Sequence, residues 1–566
     1  MFTARLAMWL LTLLEAVLVV AAVALAWMRS RRHPPALPAR LYSAFAAFAR
    51  RKTLSVVCVG LLSLTARLAL LPLLGIPEPR WNDEFSYLLA GKTFASGRIT
   101  NHTPPLWVHF ETFHVIMQPT YMSMYPPGQG LVLAVGQRIA NCPWIGVLLI
   151  TTIMCSALTW MLQGWMPPTW ALFGGLLAVL RLGVLSFWMN SYWCPALAAT
   201  GGALILGALP RVRKARSASA AVVMGLGLII LANSRPYEGF VLGLTVAGSL
   251  VAWLLGTQRP SFPTIARKFI LPLVIVLAVG ALATGYYYWR VTASPIRMTY
   301  KVNRDTYAVV PYFLFFSQRP VPSYNHAVLR NYYAGWEVGE FQEARSFLGF
   351  LRRNRHKALD LWRFYIGPAL TIPLFALPWT LRDRRMRFPI IASAVFIGAL
   401  LMQTWTFPHY TAPATGLVYL LVVQCFRHLR LWRWRTSQFG RALVNAAVAA
   451  SVGMTVLRLV AIITHTPIEP HWPRGNLDRP RLIAQLTQVP RPQLVLVRYG
   501  PHHNADLDWI YNDPDIPRAK LIWAHDMGDA NRELLQYFSD RQVWLLEVDD
   551  STPHLSPYPP AATAPY

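Results

Sequence analysis

The chain has 566 residues, 54% hydrophobic and 14% charged, and 53 Lys and Arg set against 25 Asp and Glu give it a formal net charge of +28. Apolar residues at that density, gathered in long blocks, exclude an ordinary soluble protein and indicate a polytopic α-helical membrane protein. The basic residues sit in short clusters between apolar blocks, where they act as topology signals, and this argues against a nucleic-acid partner.

Apolar blocks long enough to span a bilayer occur at 6–28, 53–75, 143–163, 169–188, 192–209, 218–233, 237–255, 269–289, 366–381, 388–405, 411–426 and 442–464. They predict about twelve transmembrane helices. The first block is longer than a signal-peptide core and is followed by Arg29, Arg31 and Arg32, so it reads as a retained span with its N-terminus outside. Every second connection is basic: 29–52, 211–216, 259–268, 382–387 and 427–441. The positive-inside rule puts all five in the cytoplasm. The segment 128–140 is apolar but too short to span, and reading it as an interfacial helix preserves the alternation.

The other connections then face outward: the loop 76–142, the junctions at 190–193 and 233–238, the long loop 290–365, the turn 407–410 and the tail. The expected organisation is an N-terminal span with a basic loop (1–52), a transmembrane catalytic module (53–464) and a C-terminal extracytoplasmic α/β domain (465–566). Within that domain the runs Leu494–Val497, Lys520–Ala524 and Val543–Val548 predict strands, and Asn531–Phe538 a helix. No glycine-rich phosphate loop follows the strands, and the Pro-rich end from Thr552 reads as disordered. The five cysteines, Cys58, Cys142, Cys155, Cys194 and Cys425, show no paired spacing.

The stretch Arg80-Trp81-Asn82-Asp83-Glu84-Phe85-Ser86-Tyr87 places two adjacent carboxylates just beyond the second span. There a charged pair stays ionised yet reaches a lipid-embedded substrate. Asn82 is the expected N-cap of an amphipathic helix over 83–96, whose N-terminus favours the Asp83 carboxylate. Asp83 is the candidate catalytic residue, with Glu84 as second carboxylate; if a divalent ion is bound, these two are its first ligands. His109, Glu111 and His114, and more weakly His502, His503, Asp506 and Asp508, resemble metal ligands but suit ordinary polar packing better. Asn101-His102-Thr103 fits a glycosylation acceptor pattern.

An Asp-Glu pair opening the first large outer loop, two interfacial helices, about a dozen spans and an outer C-terminal domain resemble the GT-C class of polyprenyl-phosphate-dependent glycosyltransferases. The nearest branch is that of protein O-mannosyltransferases and aminoarabinose transferases. The specific motif is Asn82-Asp83-Glu84 with Tyr87 and Gly91. The resemblance implies transfer of a sugar from a polyprenyl-phosphate donor to an acceptor hydroxyl on the outer face of the plasma or inner membrane, with Asp83 as base.

A departing lipid phosphate needs cations and donors. Arg235 and His409 are favoured because their connections are short, and Tyr237, Glu238 and Tyr410 accompany them. Lys92, Arg98, Arg297 and Lys301 are further candidates on the same side. Arg181 falls mid-span, where a charge costs about 2.5–3.5 kcal/mol, so it needs a buried partner or a lipid phosphate; Arg67 and Arg458 are expected to snorkel. The competing class is a transporter or lipid-linked-glycan flippase, which would place paired charges inside spans or break helices in two related halves.

Overall fold

The computed structural model describes residues 2–32, 39–215, 218–256, 260–433, 438–466, 478–501, 503–549 and 552–558. Among them, seven helices are long and apolar enough to cross a membrane: Trp9–Met28, Lys52–Ala69, Pro143–Trp165, Pro195–Arg213, Pro236–Leu254, Phe262–Thr292 and Phe439–Ile463. Pro168–Gly183 and Ala218–Ala232 are shorter apolar helices. These helices make the chain an integral membrane protein. They also differ in what surrounds them. Pro195–Arg213 has 89% of its most apolar window buried inside the protein, whereas Phe262–Thr292 has 6% and presents its side chains to lipid.

Seven of the twelve expected spans reach spanning length among the described residues, and the others form shorter helices. The block 366–381 divides into Gly367–Leu374 and Leu377–Arg382, because Pro373 and Pro378 each withdraw a backbone donor. Arg387–Leu401 has 15 residues and Thr415–Leu431 has 17, short of the roughly 20 needed to cross a hydrocarbon core at right angles.

The intramembrane arginines find partners within the chain. Arg67, expected to snorkel, is fully buried: its Nε donates to Asn190 Oδ1 at 3.0 Å, a terminal nitrogen donates to the Gly75 carbonyl at 2.7 Å, and the guanidinium lies 4.5 Å from the Trp144 ring. Arg458 likewise turns inward, with Nε 3.8 Å from Glu15 Oε1, so an ion pair joins the first long helix to the last. Arg181 donates to the backbone carbonyls of Phe364, at 2.7 Å, and Arg363. Both of these partners are peptide groups of the chain.

The first outer loop holds two helices. Asn82–Ala95 matches the expected helix, with its cap one residue earlier at Trp81. Pro127–Ala140 packs across it so closely that a Cβ on Gly91 would stand 2.8 Å from Leu133 Cβ. Between them Val115–Ile116 pairs antiparallel with Met122–Ser123. The long loop 290–365 carries helices Thr299–Tyr307, Glu337–Arg345 and Phe347–Leu361, and a buried Arg304–Glu337 pair at 2.6 Å ties the first two together.

Toward the C-terminus a four-stranded sheet runs in the order Leu521–His525, Gln493–Arg498, Gln542–Glu547, His554–Pro557. The first three strands are parallel, and the predicted runs match them to within one residue at each end. The fourth is antiparallel and occupies part of the stretch expected to be disordered, because residues 554–557 complete the sheet edge beside Gln542–Glu547. Residues 559–566 lie outside the described residues. Leu494, Leu496 and Ile522 share an apolar core with Leu89, Phe110 and Tyr121 of the first loop, so the sheet packs directly on the carboxylate-bearing helix.

Candidate active site

Glu84 explains why the helix starts where it does. Its Oε2 accepts the backbone N–H groups of Arg80 at 2.8 Å and Trp81 at 3.0 Å, satisfying donors ahead of the first turn. Its Oε1 accepts the N–H of Tyr192 at 2.9 Å, which fastens the helix to the 190–193 junction. Burial, with a contribution from the neighbouring Asp83 charge, raises the Glu84 pKa although three N–H groups oppose that shift. Both oxygens are therefore occupied. Glu84 is a structural anchor rather than the second working carboxylate expected from the sequence.

Asp83 points the other way. Tyr125 donates its hydroxyl hydrogen to Asp83 Oδ1, and His114 Nδ1 lies 2.7 Å from the same atom. Oδ2 has no hydrogen-bond partner among the described residues, and the side chain keeps 25% of its exposure. Burial alone would raise the Asp83 pKa, but His114, the Tyr125 hydroxyl and the Arg235 charge outweigh it and hold the carboxyl below its usual range. Tyr125 stays a phenol, since burial and the Asp83 charge push its pKa well above the ordinary value.

The short hairpin delivers both partners. With Val115 opposite Ser123 and Ile116 opposite Met122, the next pair outward is His114 and Met124, and Tyr125 follows. The His114 carbonyl accepts from Met124 N at 3.0 Å and from Ser86 Oγ at 2.6 Å, which holds its backbone at φ +59°. Neither His114 nor Tyr125 was assigned to the Asp83 carboxylate from the sequence. The signal available was the aromatic turn around Tyr125, but the pairing exists only through the hairpin register.

Arg235, on the 233–235 junction, lies close enough for its charge to act on the Asp83 carboxylate. Gly128 N donates to Asn233 O at 2.9 Å, and a Cβ on Gly128 would stand 2.5 Å from that oxygen, so the interfacial helix abuts the junction as only glycine allows. The Arg235 guanidinium sits 4.1 Å from the Tyr410 ring, is 7% exposed, and its Nε is buried without an acceptor among the described residues. Tyr87, stacked on Tyr125 at 4.3 Å, and Tyr300, edge-on to it at 5.4 Å, line the space between.

Of the other predicted contacts, Tyr410 lies beneath Arg235, while His409 is packed between Trp193 at 4.4 Å and Phe407 at 5.7 Å. Glu238 accepts from Gln403 Nε2 at 3.0 Å, and Tyr237 donates to the Ala399 carbonyl at 3.1 Å, so both serve the packing behind Arg235. Lys92 stands half a turn of phase and about 13 Å along the helix from Asp83. It pairs with Asp513 at 2.5 Å, and Arg98 donates to Ser96 Oγ at 3.0 Å, so neither serves Asp83. Arg297 and Lys301 surround Asp305 on the surface.

The suggested metal ligands diverge. Glu111 accepts from Tyr307 at 2.8 Å and Asn325 at 2.7 Å, His114 serves Asp83, and His109 is buried apart from both. Among the described residues no three His, Cys, Asp or Glu side chains converge. With Glu84 committed to backbone amides, the Asp83–Glu84 pair does not fit a divalent ion as a dedicated donor set. In the tail, His503 bonds Asp549 at 2.7 Å and Asp508 accepts from Thr112 at 2.6 Å, while His502 lies outside the described residues. Asn101 is 3% exposed and its amide nitrogen is committed to Thr93 and the Tyr121 carbonyl, so it is a buried strut rather than a glycosylation acceptor.

The segment 504–513 lies along the helix in the same direction. Asp513 holds Lys92, Tyr511 stacks on Phe85 at 4.3 Å and 11°, and Asp506 comes within the electrostatic field of Arg80, Asp83 and His114. Burial raises the Asp506 pKa, against Arg80 and with Asp83 adding to the rise.

No family model and no curated protein sequence matches the chain. Solved structures do. ArnT from Cupriavidus metallidurans, bound to undecaprenyl phosphate, aligns over 87% of this chain and 92% of its own at 14% identity and a TM-score of 0.52. The fold is shared. The Archaeoglobus fulgidus oligosaccharyltransferase, in complex with Zn and sulfate, aligns over 87% of this chain and 67% of its own at 11% identity and a TM-score of 0.49. The GT-C architecture expected from the Asp-Glu motif is thus the architecture of the ArnT structure.

Proposed function

We propose that this protein is an integral membrane glycosyltransferase that takes a sugar from a polyprenyl-phosphate carrier and transfers it, with inversion, to an acceptor hydroxyl at the extracytoplasmic face. The observation that carries the reading is the asymmetry of Asp83. One oxygen is fixed by Tyr125 and His114 while the other is left without a hydrogen bond among the described residues, and the buried Arg235 acts on the same carboxylate. A carboxylate kept ionised and aimed by two donors is a base, and a guanidinium without a carboxylate bonded to it suits a phosphate.

In this scheme the acceptor oxygen forms a bond to the anomeric carbon as the bond from that carbon to the carrier phosphate oxygen breaks. The acceptor proton passes to Asp83 Oδ2, the electron pair of the broken bond leaves on the phosphate, and Arg235 receives the developing charge. Tyr410 supports the guanidinium from below, and the loop 290–365 covers the site. The sided arrangement follows from the charge alternation: 1–52 as N-terminal span and cytoplasmic loop, 53–464 as catalytic module, 465–566 on the outer side. ArnT with undecaprenyl phosphate supports the fold and offers the donor class by likeness.

Asp83→Asn tests the proposal. Purified variant protein is expected to bind undecaprenyl phosphate like the wild type while transfer from the lipid-linked sugar falls by at least a thousandfold. Turnover within tenfold of wild type would overturn the assignment of the base.

A further inference from the structure

An aromatic series that the donor chemistry does not use leads away from His114. From His114, 6.1 Å from Tyr332, an aromatic series continues through Tyr332 to Trp336, 5.2 Å away at 29°, and from Trp336 to Trp405, 6.2 Å away at 20°. Trp336 is 47% exposed. The residues Asn331–Trp336 form a π-helical turn, a distortion that re-aims side chains, and beside Trp336 a Cβ added at Gly335 would meet nothing within 4 Å. Trp405 is buried, yet its indole N–H finds no acceptor among the described residues.

Asp506 stands on the turn Ala505–Leu507, where Asn504 accepts the Asp506 N–H at 3.1 Å and fixes the turn, and it is linked to this series through His114, which acts on its carboxylate and lies 6.1 Å from Tyr332. The Asp506 carboxylate has neither hydrogen bond nor ion pair among the described residues, although it is partly buried and faces Asp83 and His114. An exposed tryptophan beside a tyrosine, with an unpaired carboxylate that shares their His114 neighbour, matches one ligand chemistry: apolar C–H faces alternating with hydroxyls around a ring. A peptide hydroxyl offers the reacting group but no such alternation.

Resting on the transferase reading above, we infer that the acceptor is itself a carbohydrate, held over the Tyr332–Trp336 faces with a hydroxyl next to the reacting one donated to Asp506. The C-terminal segment then selects the acceptor while Arg235 and Tyr410 hold the donor. Trp336 is a binding residue, and Asp506 fixes which hydroxyl meets Asp83 Oδ2.

The test uses the full chain in detergent with two probes, undecaprenyl phosphate by thermal shift and a panel of free disaccharides by saturation-transfer NMR. At least one disaccharide is expected to receive saturation from the protein. That signal should drop at least fivefold in Trp336→Ala and in Asp506→Asn and persist in Trp336→Phe, while the undecaprenyl phosphate shift stays unchanged in all three. Undecaprenyl phosphate binding without any disaccharide signal would overturn the acceptor assignment alone, as would a signal indifferent to both Trp336→Ala and Asp506→Asn. Failure of undecaprenyl phosphate to bind the wild type would instead remove the transferase reading on which it rests.

Discussion

Tyr125 donates to the oxygen of Asp83 that His114 also faces, and the other oxygen is left open. The consequence is a carboxylate whose protonation is set by its neighbours rather than by its exposure.

His114 lowers the Asp83 pKa, so removing it raises that pKa and the fall of activity at acid pH moves upward. His114→Asn is the suitable variant, because asparagine tolerates the left-handed backbone that position 114 adopts. In a profile of kcat/KM against pH the acid limb is expected to shift toward neutrality, with activity above it largely retained. An acid limb that does not move would detach His114 from the base.

Glu84→Gln puts an amide donor where the carboxylate accepts three backbone N–H groups. Leaving at least one of those groups facing another donor costs about 1–3 kcal/mol. A lower Tm in detergent is expected, while the fraction that remains folded keeps its donor affinity. Loss of turnover at unchanged Tm would return Glu84 to the chemistry.

Gly128→Ala tests the route by which Arg235 arrives. The added methyl would meet the Asn233 carbonyl, a backbone atom that moves only with the junction carrying Arg235. Undecaprenyl phosphate affinity is expected to weaken about tenfold, since a shift of the guanidinium forfeits a charge-assisted contact. Gly339→Ala, where nothing lies within 4 Å of the added carbon, is the control expected to change neither affinity nor Tm.

Glu15 and Arg458 form a charged pair between the first and last long helices. Removing one partner leaves the other charge buried, so Glu15→Ala and Arg458→Ala should each destabilise by more than the double replacement. Thermal unfolding of all three variants in one detergent measures this, and additive losses would mean that the two side chains do not interact.

The carboxylate helix was legible in the sequence because its markers are local: an acidic first turn after a span, Gly97 beyond its end, and an apolar segment at 128–140 too short to cross. The parallel strands were legible as compact apolar runs. The second half of the membrane part was not, because hydropathy averages over Pro373 and Pro378 and does not register that each removes a hydrogen bond. Arg67 and Arg458 were read as reaching for water, since their partners Asn190, Gly75 and Glu15 are distant in the chain and close only once the helices pack. The same limit hid Tyr125 and His114. Glu84 misled for the opposite reason: a carboxylate beside a base looks like chemistry, and only its three amide partners reveal scaffolding.

Because Tyr511 covers Phe85 and Asp513 grips Lys92, the last hundred residues act as a splint on the helix that bears Asp83. Trimming the chain to its membrane portion would strip an aromatic face and a charge from that helix at once. The soluble-looking tail and the lipid-embedded bundle are therefore one machine, and neither is a module to be borrowed without the other.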